Sequence, residues 1–435
     1  MSTSPATFAP GSLDAQKPDR PGRDLLLLLS VAAAARLAWL WIIPSQSVSV
    51  DLKDWLVVAG QMHVGRNPYD SGVLNWPPFW LEALYPLMRL AIHFFPLQRD
   101  FSGFFFLVRV FLILGDLGLL AATYWLLRLL DRDAPSFQLL LWGYCLNPLL
   151  TLLTVQHANF DAYATIWVVL FLCMLVKFRR GGQEVDWILA CGCLGMGIFT
   201  KTFPLLLWPL LAPGSARITR PARLLGGGLL LGPTALSLAP LYILFPAGIS
   251  QHVLGYRGMG DTFGIVSLLR LAGVPYDVAM YARVFSLSLL AGTAALALLL
   301  RRRDFKHDAD LVLLSCVLLM CVFTLGTGYG SQYWFWVVPL LLICYRHYPD
   351  LRHVLWACAV VTIATNLVEY GVEAWLGAFL MGWTQWPWVR SLSYELRFSY
   401  IAVPALHLPM TLVTCLTLFA LANVLVRQYR LGARL

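Results

Sequence analysis

Charge is scarce in this chain. Only 13% of its 435 residues are Asp, Glu, Lys or Arg, about half of the ~25% usual in soluble domains. That excludes a water-soluble globule of this size. None of the nine cysteines lies in a polar loop, so no disulfide framework is implied, and Cys191-Gly192-Cys193 lacks metal-ligand spacing. There is no Walker or dinucleotide-binding glycine loop. Internal repeats and a Ser-His-Asp arrangement are also missing.

Apolar residues fill the space instead, at 59% of the chain. Apolar segments run at 25–43, 104–127, 137–153, 162–177, 187–200, 203–212, 224–245, 279–300, 311–326, 332–345, 354–371 and 400–426. Most approach the ~17–25 residues a helix needs to cross a bilayer core. Lipid cannot satisfy backbone polar groups, so spanning segments must be helical. The expected fold class is therefore all-α, a polytopic membrane protein with about 11–12 membrane segments. Segments 187–200 and 203–212 are short and meet at Lys201-Thr202-Phe203-Pro204, which reads as a broken pair of helices.

Basic residues set the expected orientation. With the N-terminus inside, 20 of the 32 Lys and Arg fall on the cytoplasmic side and nine on the outer side. Both termini are then cytoplasmic, and the net charge of +9 is a topology signal, with no nucleic-acid partner implied. Residues 1–24 read as a disordered cytoplasmic tail. An N-terminal membrane module spans 25–213 and contains a long first outer loop, 44–103. A C-terminal module spans 214–435, with outer loops at 246–278 and 372–399.

Chemistry is expected at the outer face. The first outer loop opens with Asp51 and Asp54, three residues apart and so on one side of a surface helix over 52–65. The helix dipole favours carboxylates there, and helix capping alone would also explain them. A turn, Gly65-Arg66-Asn67-Pro68-Tyr69, and then Trp76-Pro77-Pro78-Phe79-Trp80 lead into a second amphipathic stretch. Gln156, His157, Asp161, Lys201, Arg257, Asp261, Gln332 and Tyr333 also map to outer helix ends under the orientation set by Lys and Arg.

Asp51, Ala59, the Gly65–Tyr69 turn and Pro77-Pro78, taken in order, resemble the first luminal loop of GT-C superfamily glycosyltransferases. The likeness is greatest to the polyprenyl- or dolichyl-phosphate-mannose-dependent branch, with its GPI mannosyltransferases and actinobacterial mannosyltransferases. Asn147-Pro148 with Gln156-His157-Ala158-Asn159-Phe160-Asp161 is similar to that family's polar junction between the third and fourth helices. Lys201-Thr202-Phe203-Pro204 resembles its Lys-x-x-Pro, and Ser331-Gln332-Tyr333 with Trp336 its late Ser-Gln-Tyr-x-x-Trp element. Asp51 matches the family's carboxylate, whereas the first acid of its Asp-x-Asp pair falls on Ser49.

The resemblance implies a GT-C-like fold with interfacial helices in the first outer loop. It also implies transfer of a hexose, mannose first, from a polyprenyl-phosphate-sugar donor to a glycolipid or glycan acceptor. Such a reaction needs a base for the acceptor hydroxyl and cations or donors for the departing phosphate. Asp51 is the expected base, with Asp54 and Asp261 in support. Lys201, His157 and Arg257 are candidates to hold the phosphate; Gln156, Asp161, Gln332 and Tyr333 are candidates to bind substrate. Direct displacement on one base inverts the anomeric centre. Family members differ in metal use, so magnesium or manganese is allowed and no cofactor is required.

Plainer readings stand beside these. Lys201 could snorkel from a short helix, His157 could be a hydrogen-bonded helix end, and Asp161 could be a helix cap. The segment from Gly255 to Asp261 could be a flexible turn. Within the apolar segments, Arg36, Arg109 and Asp116 suggest pairing of Arg36 with Asp116, or else a proton or substrate pathway. The tryptophans of loop 372–399 suit an interfacial belt or an acceptor-binding rim. A secondary transporter is the main rival function, and a non-catalytic scaffold for a cell-envelope assembly is a third.

Overall fold

The computed structural model describes residues 21–42, 49–74, 77–95, 101–131, 136–254, 264–275, 277–301, 305–326, 330–369 and 408–432. Among these residues there are helices and loops and no strand. The first four helices are α1 (Pro21–Ile42), α2 (Val50–His63), α3 (Phe79–Phe94) and α4 (Ser102–Leu130). A bent pair follows, α5 (Phe137–Cys145) and α6 (Pro148–Gln156), broken by 47°. Next come α7 (Asp161–Gly181), α8 (Glu184–Thr200), a 3-10 helix over Phe203–Leu211, and α9 (Arg220–Leu244). The remainder comprises α10 (Ile265–Leu271), α11 (Val278–Arg301), α12 (Ala309–Leu325), α13 (Trp334–His347), α14 (Arg352–Glu369) and α15 (Leu408–Gly432).

Every apolar segment expected from the sequence is mostly helical over its described part, and 137–153 is interrupted at Leu146-Asn147. Among the described residues six helices, α1, α4, α7, α9, α11 and α15, are long and apolar enough to cross a membrane, and α5 with α6 makes a seventh if the bent pair is one span. The chain is an integral membrane protein. Helix α1 begins at Pro21, inside the stretch expected to be a tail, because proline suits the first helical turn and Asp24 favours that end.

A buried ionic network ties the first spans together. Arg36 of α1 meets Asp116 of α4 at 2.7 Å, and both side chains are fully buried. The Tyr144 hydroxyl donates to the same carboxylate at 2.7 Å. Arg36 also donates to the carbonyls of Tyr144, at 3.3 Å, and of Cys145. Those carbonyls are available for two reasons: Pro148 has no N–H to offer Tyr144, four residues back, and Leu149 N, four residues beyond Cys145, bonds Asn147 Oδ1 at 2.9 Å instead. Arg109 donates to the Val155 carbonyl at 2.9 Å, at the far end of the same bent pair. Pairing thus accounts for Arg36 and Asp116. Arg36→Lys keeps the charge and loses the fork that reaches two carbonyls. Thermal unfolding in detergent should show a loss of roughly 1–3 kcal/mol, the cost of stranding buried acceptors.

The two surface helices of the first loop carry their apolar residues on one face. Leu52, Trp55, Val58 and Ala59 of α2 are buried, as are Trp80, Leu84, Met88 and Ala91 of α3, the spacing of a helix with one dry side. They share a core with the start of α4 and with Ala158 and Phe160. Trp80 stacks on Phe160 with centroids 4.5 Å apart, and Trp55 meets Trp80 edge-on at 4.6 Å. The loop is therefore anchored to the segment joining α6 to α7, which forms the site.

Candidate active site

Ser49 caps α2, its hydroxyl accepting from Leu52 N at 3.2 Å and donating to the His157 carbonyl at 2.7 Å. A serine serves there because both functions of its hydroxyl are used; an aspartate could accept but not donate. Asp51 follows in the first turn, where unpaired N–H groups favour a carboxylate. Its Oδ2 lies 3.2 Å from His157 Nε2, and Asn159 hydrogen-bonds the same side chain. Burial pushes the Asp51 carboxyl up, but His157, Lys201 and Asn159 together outweigh it, and the group sits below its ordinary value of 3.8. Asp54 moves the other way, raised by burial and by the Asp51 charge.

The segment His157–Phe160 presents these partners. It leaves α6 through a π-turn over Leu152–Gln156, with His157 N bonded to the Leu152 carbonyl at 2.9 Å. Ala158 then takes a left-handed conformation, φ +59°, unfavourable for a residue with a Cβ. Asn159 precedes Phe160, the N-cap of α7, and its Oδ1 accepts from Asp161 N at 2.7 Å. Ala158 is fully buried, so a larger side chain has neither the space nor the backbone geometry. Ala158→Gly should leave thermal stability within about 1 kcal/mol, whereas Ala158→Val should cost about 1–3 kcal/mol through overpacking and strain.

A second cluster lies beside the first. Lys201 stands in extended backbone between α8 and the 3-10 helix, which begins just beyond it at Phe203-Pro204. Its Nζ meets Asp161 Oδ1 at 2.5 Å. The other carboxylate oxygen accepts from Trp336 Nε1 at 2.7 Å. Aromatic rings wrap the ammonium, with the centroids of Phe160 and Tyr333 at 5.3 Å and Trp336 at 5.5 Å, each in cation–π range. Trp336 is itself sandwiched by Phe203 and Tyr333, at 3.9 and 4.1 Å. Asp161 is fully buried and Lys201 keeps a small exposed fraction.

The fold thus gathers Asp51, Asp54, Gln156, His157, Asp161, Lys201 and Tyr333 from residues more than 280 positions apart. Gln332 precedes Tyr333 and folds over Gly330, where a Cβ would clash with it. Two assignments take a different form from that expected. Asp161 lies beneath Lys201 as its counter-ion, with both oxygens engaged by protein. His157 is turned to Asp51. Arg257, Asp261 and loop 372–399 lie outside the described residues. Ser49 and Asn159 are additions; the position of Asn159, two residues ahead of the acid that opens α7, was the available signal. Asp51 and His157 bring two metal-ligand types together, and among the described residues no group of three His, Cys, Asp or Glu forms.

Neither a family model nor a curated protein matches the sequence. A solved structure does, that of ArnT from Cupriavidus metallidurans bound to undecaprenyl phosphate. The match covers 94% of this chain and 78% of ArnT, at 14% sequence identity and a TM-score of 0.51. The fold resembles that of ArnT. An ArnT-like arrangement of helices carries the site, and at this identity the likeness is one of fold.

Proposed function

We propose that this chain is a membrane glycosyltransferase. It moves a hexose, mannose first, from a polyprenyl-phosphate-linked donor to a hydroxyl of a glycolipid or glycan at the outer face of the membrane. One observation carries the reading: Asp51 stands at the head of α2, 3.2 Å from His157 and near a caged lysine, on an ArnT-like fold. The lipid bound to ArnT supports a polyprenyl phosphate as the carrier.

The reaction is a direct displacement. The acceptor hydroxyl attacks the anomeric carbon while its proton passes to Asp51. The bond from that carbon to the phosphate oxygen breaks, and its electron pair leaves with the phosphate, so the configuration inverts. His157 and Asn159 hold Asp51 in place and keep it charged. Lys201 spends one N–H on Asp161, and an ammonium has two more to offer the leaving group. Arg257 is the second candidate cation. Asp54 and Asp261 are candidate supports, and Gln156, Gln332 and Tyr333 remain candidates to bind substrate. The basic residues favour cytoplasmic termini and an outward site.

The test uses purified protein in lipid vesicles, supplied with polyprenyl-phosphate-mannose and a host glycolipid extract. Mannose should appear on the extract with inverted anomeric configuration. Solute or lipid flux without transfer would establish the transporter instead.

A further inference from the structure

On the far side of α13 from Lys201, a cavity of about 620 Å³ lies between α5, α13 and α14. Its walls are mostly apolar, with Leu342, Leu355 and Ala359 among them, and Trp334 closes one end. Arg346 and Arg352 line the other end. Trp334 to Arg346 spans twelve helical residues, about 18 Å at ~1.5 Å per residue. That is close to one leaflet of a hydrocarbon core ~30 Å thick. Two exposed tryptophans, Trp142 and Trp356, also line the groove. They lie within about two turns of its arginine end, at the depth where tryptophan marks the membrane interface.

From this geometry we infer that the groove is a specific binding site for an anionic phospholipid, its phosphate at Arg346 and Arg352 and one acyl chain running toward Trp334. Charge selects the headgroup. Arg346 faces Asp131 at 3.6 Å, a loose and half-exposed pair. Arg352 lies over the Tyr345 ring at 5.5 Å and donates to the Tyr345 carbonyl at 3.3 Å, with no carboxylate among these contacts. The groove lining itself holds both arginines and no carboxylate; Asp131, which faces Arg346, and Asp350, in the turn before Arg352, stand outside it. Close packing at Gly143, where a Cβ would lie 2.4 Å from Leu342, brings α5 against α13. The donor's polyprenyl chain is not the occupant. Tyr333 and Trp336 face Lys201, whereas Trp334 faces the groove. The site is therefore independent of the transfer reaction.

Native mass spectrometry of the full chain, delipidated and offered phosphatidylglycerol or phosphatidylcholine, tests this. Wild type should bind phosphatidylglycerol about 10-fold more tightly or better, as two basic residues near an anionic headgroup supply. Arg346→Gln/Arg352→Gln should erase the preference. Ala359→Trp, which fills the groove and leaves both arginines, should weaken phosphatidylglycerol binding to the same extent. Equal binding of both lipids by wild type, a preference that survives the double arginine substitution, or phosphatidylglycerol binding unchanged by Ala359→Trp, would overturn the proposal. So would displacement of phosphatidylglycerol by an equimolar polyprenyl phosphate.

Discussion

Asp51→Asn is expected to lower sugar transfer by about 10²–10⁴-fold, the range over which a positioned acid or base acts. At ~1.36 kcal/mol per factor of ten, that is about 3–5 kcal/mol of lost transition-state stabilisation. The change is nearly isosteric and can keep the contact with His157, so lipid binding should hold and melting temperature should fall only by the modest ionic contribution of the depressed carboxyl. Asp54→Asn is the control. Asp54 lies one turn on and feels the Asp51 charge as repulsion, so its removal should leave transfer within a few-fold of wild type and slightly favour the fold at neutral pH. A large loss from Asp54→Asn with Asp51→Asn active would exchange the two roles.

The same site fixes a pH dependence. Asp51 titrates below its ordinary value because His157, Lys201 and Asn159 outweigh its burial. A depressed carboxylate contributes stability above its unfolded value, and that contribution is lost as pH falls through the folded one. Across neutral and mildly acid pH Asp51 therefore stays charged, and it imposes no acid limb on kcat/KM there. His157→Ala removes the foremost of the lowering partners and leaves burial in place. The Asp51 carboxyl should then rise, bringing the acid limb of the pH–rate profile upward. A profile unmoved by His157→Ala would show that the 3.2 Å contact does not govern the base.

Much of this was legible in the chain, for identifiable reasons. Helical spans announce themselves because lipid forces each segment to be apolar and self-satisfied. The break at Lys201 was legible as well, since the proline three residues on, Pro204, suits a new helix start. Asp51 and Asp54 could be placed on one side of a helix by their spacing alone. What composition cannot convey is who faces whom. Asp161 read equally as a helix cap or a substrate ligand; its place as the counter-ion of Lys201, with Trp336 on its other oxygen 175 residues later, is set by the fold. The left-handed turn at Ala158 left no trace, because the residue that adopts it is not glycine. The use of Ser49 as a two-way hydroxyl was likewise hidden, since its second partner is a backbone carbonyl 108 residues away.

Lys201 offers the sharpest separation of structure from chemistry. Lys201→Met should abolish measurable transfer and destabilise the protein by about 3–5 kcal/mol, because Asp161 is left buried with its charge unpaired. That result alone would not identify a role for the ammonium, since a protein that fails to fold also fails to react. Adding Asp161→Asn removes the stranded charge, and its amide oxygen can still accept from Trp336. The double variant should therefore regain most of the lost melting temperature, as neutral replacement of a buried pair often does. Transfer should stay down by about 10²–10³-fold, since a donor aimed at developing negative charge is worth that much. Binding of polyprenyl phosphate should weaken in parallel. Recovery of transfer along with stability would reduce Lys201 to a counter-ion for Asp161, and the cation for the departing phosphate would then have to be Arg257.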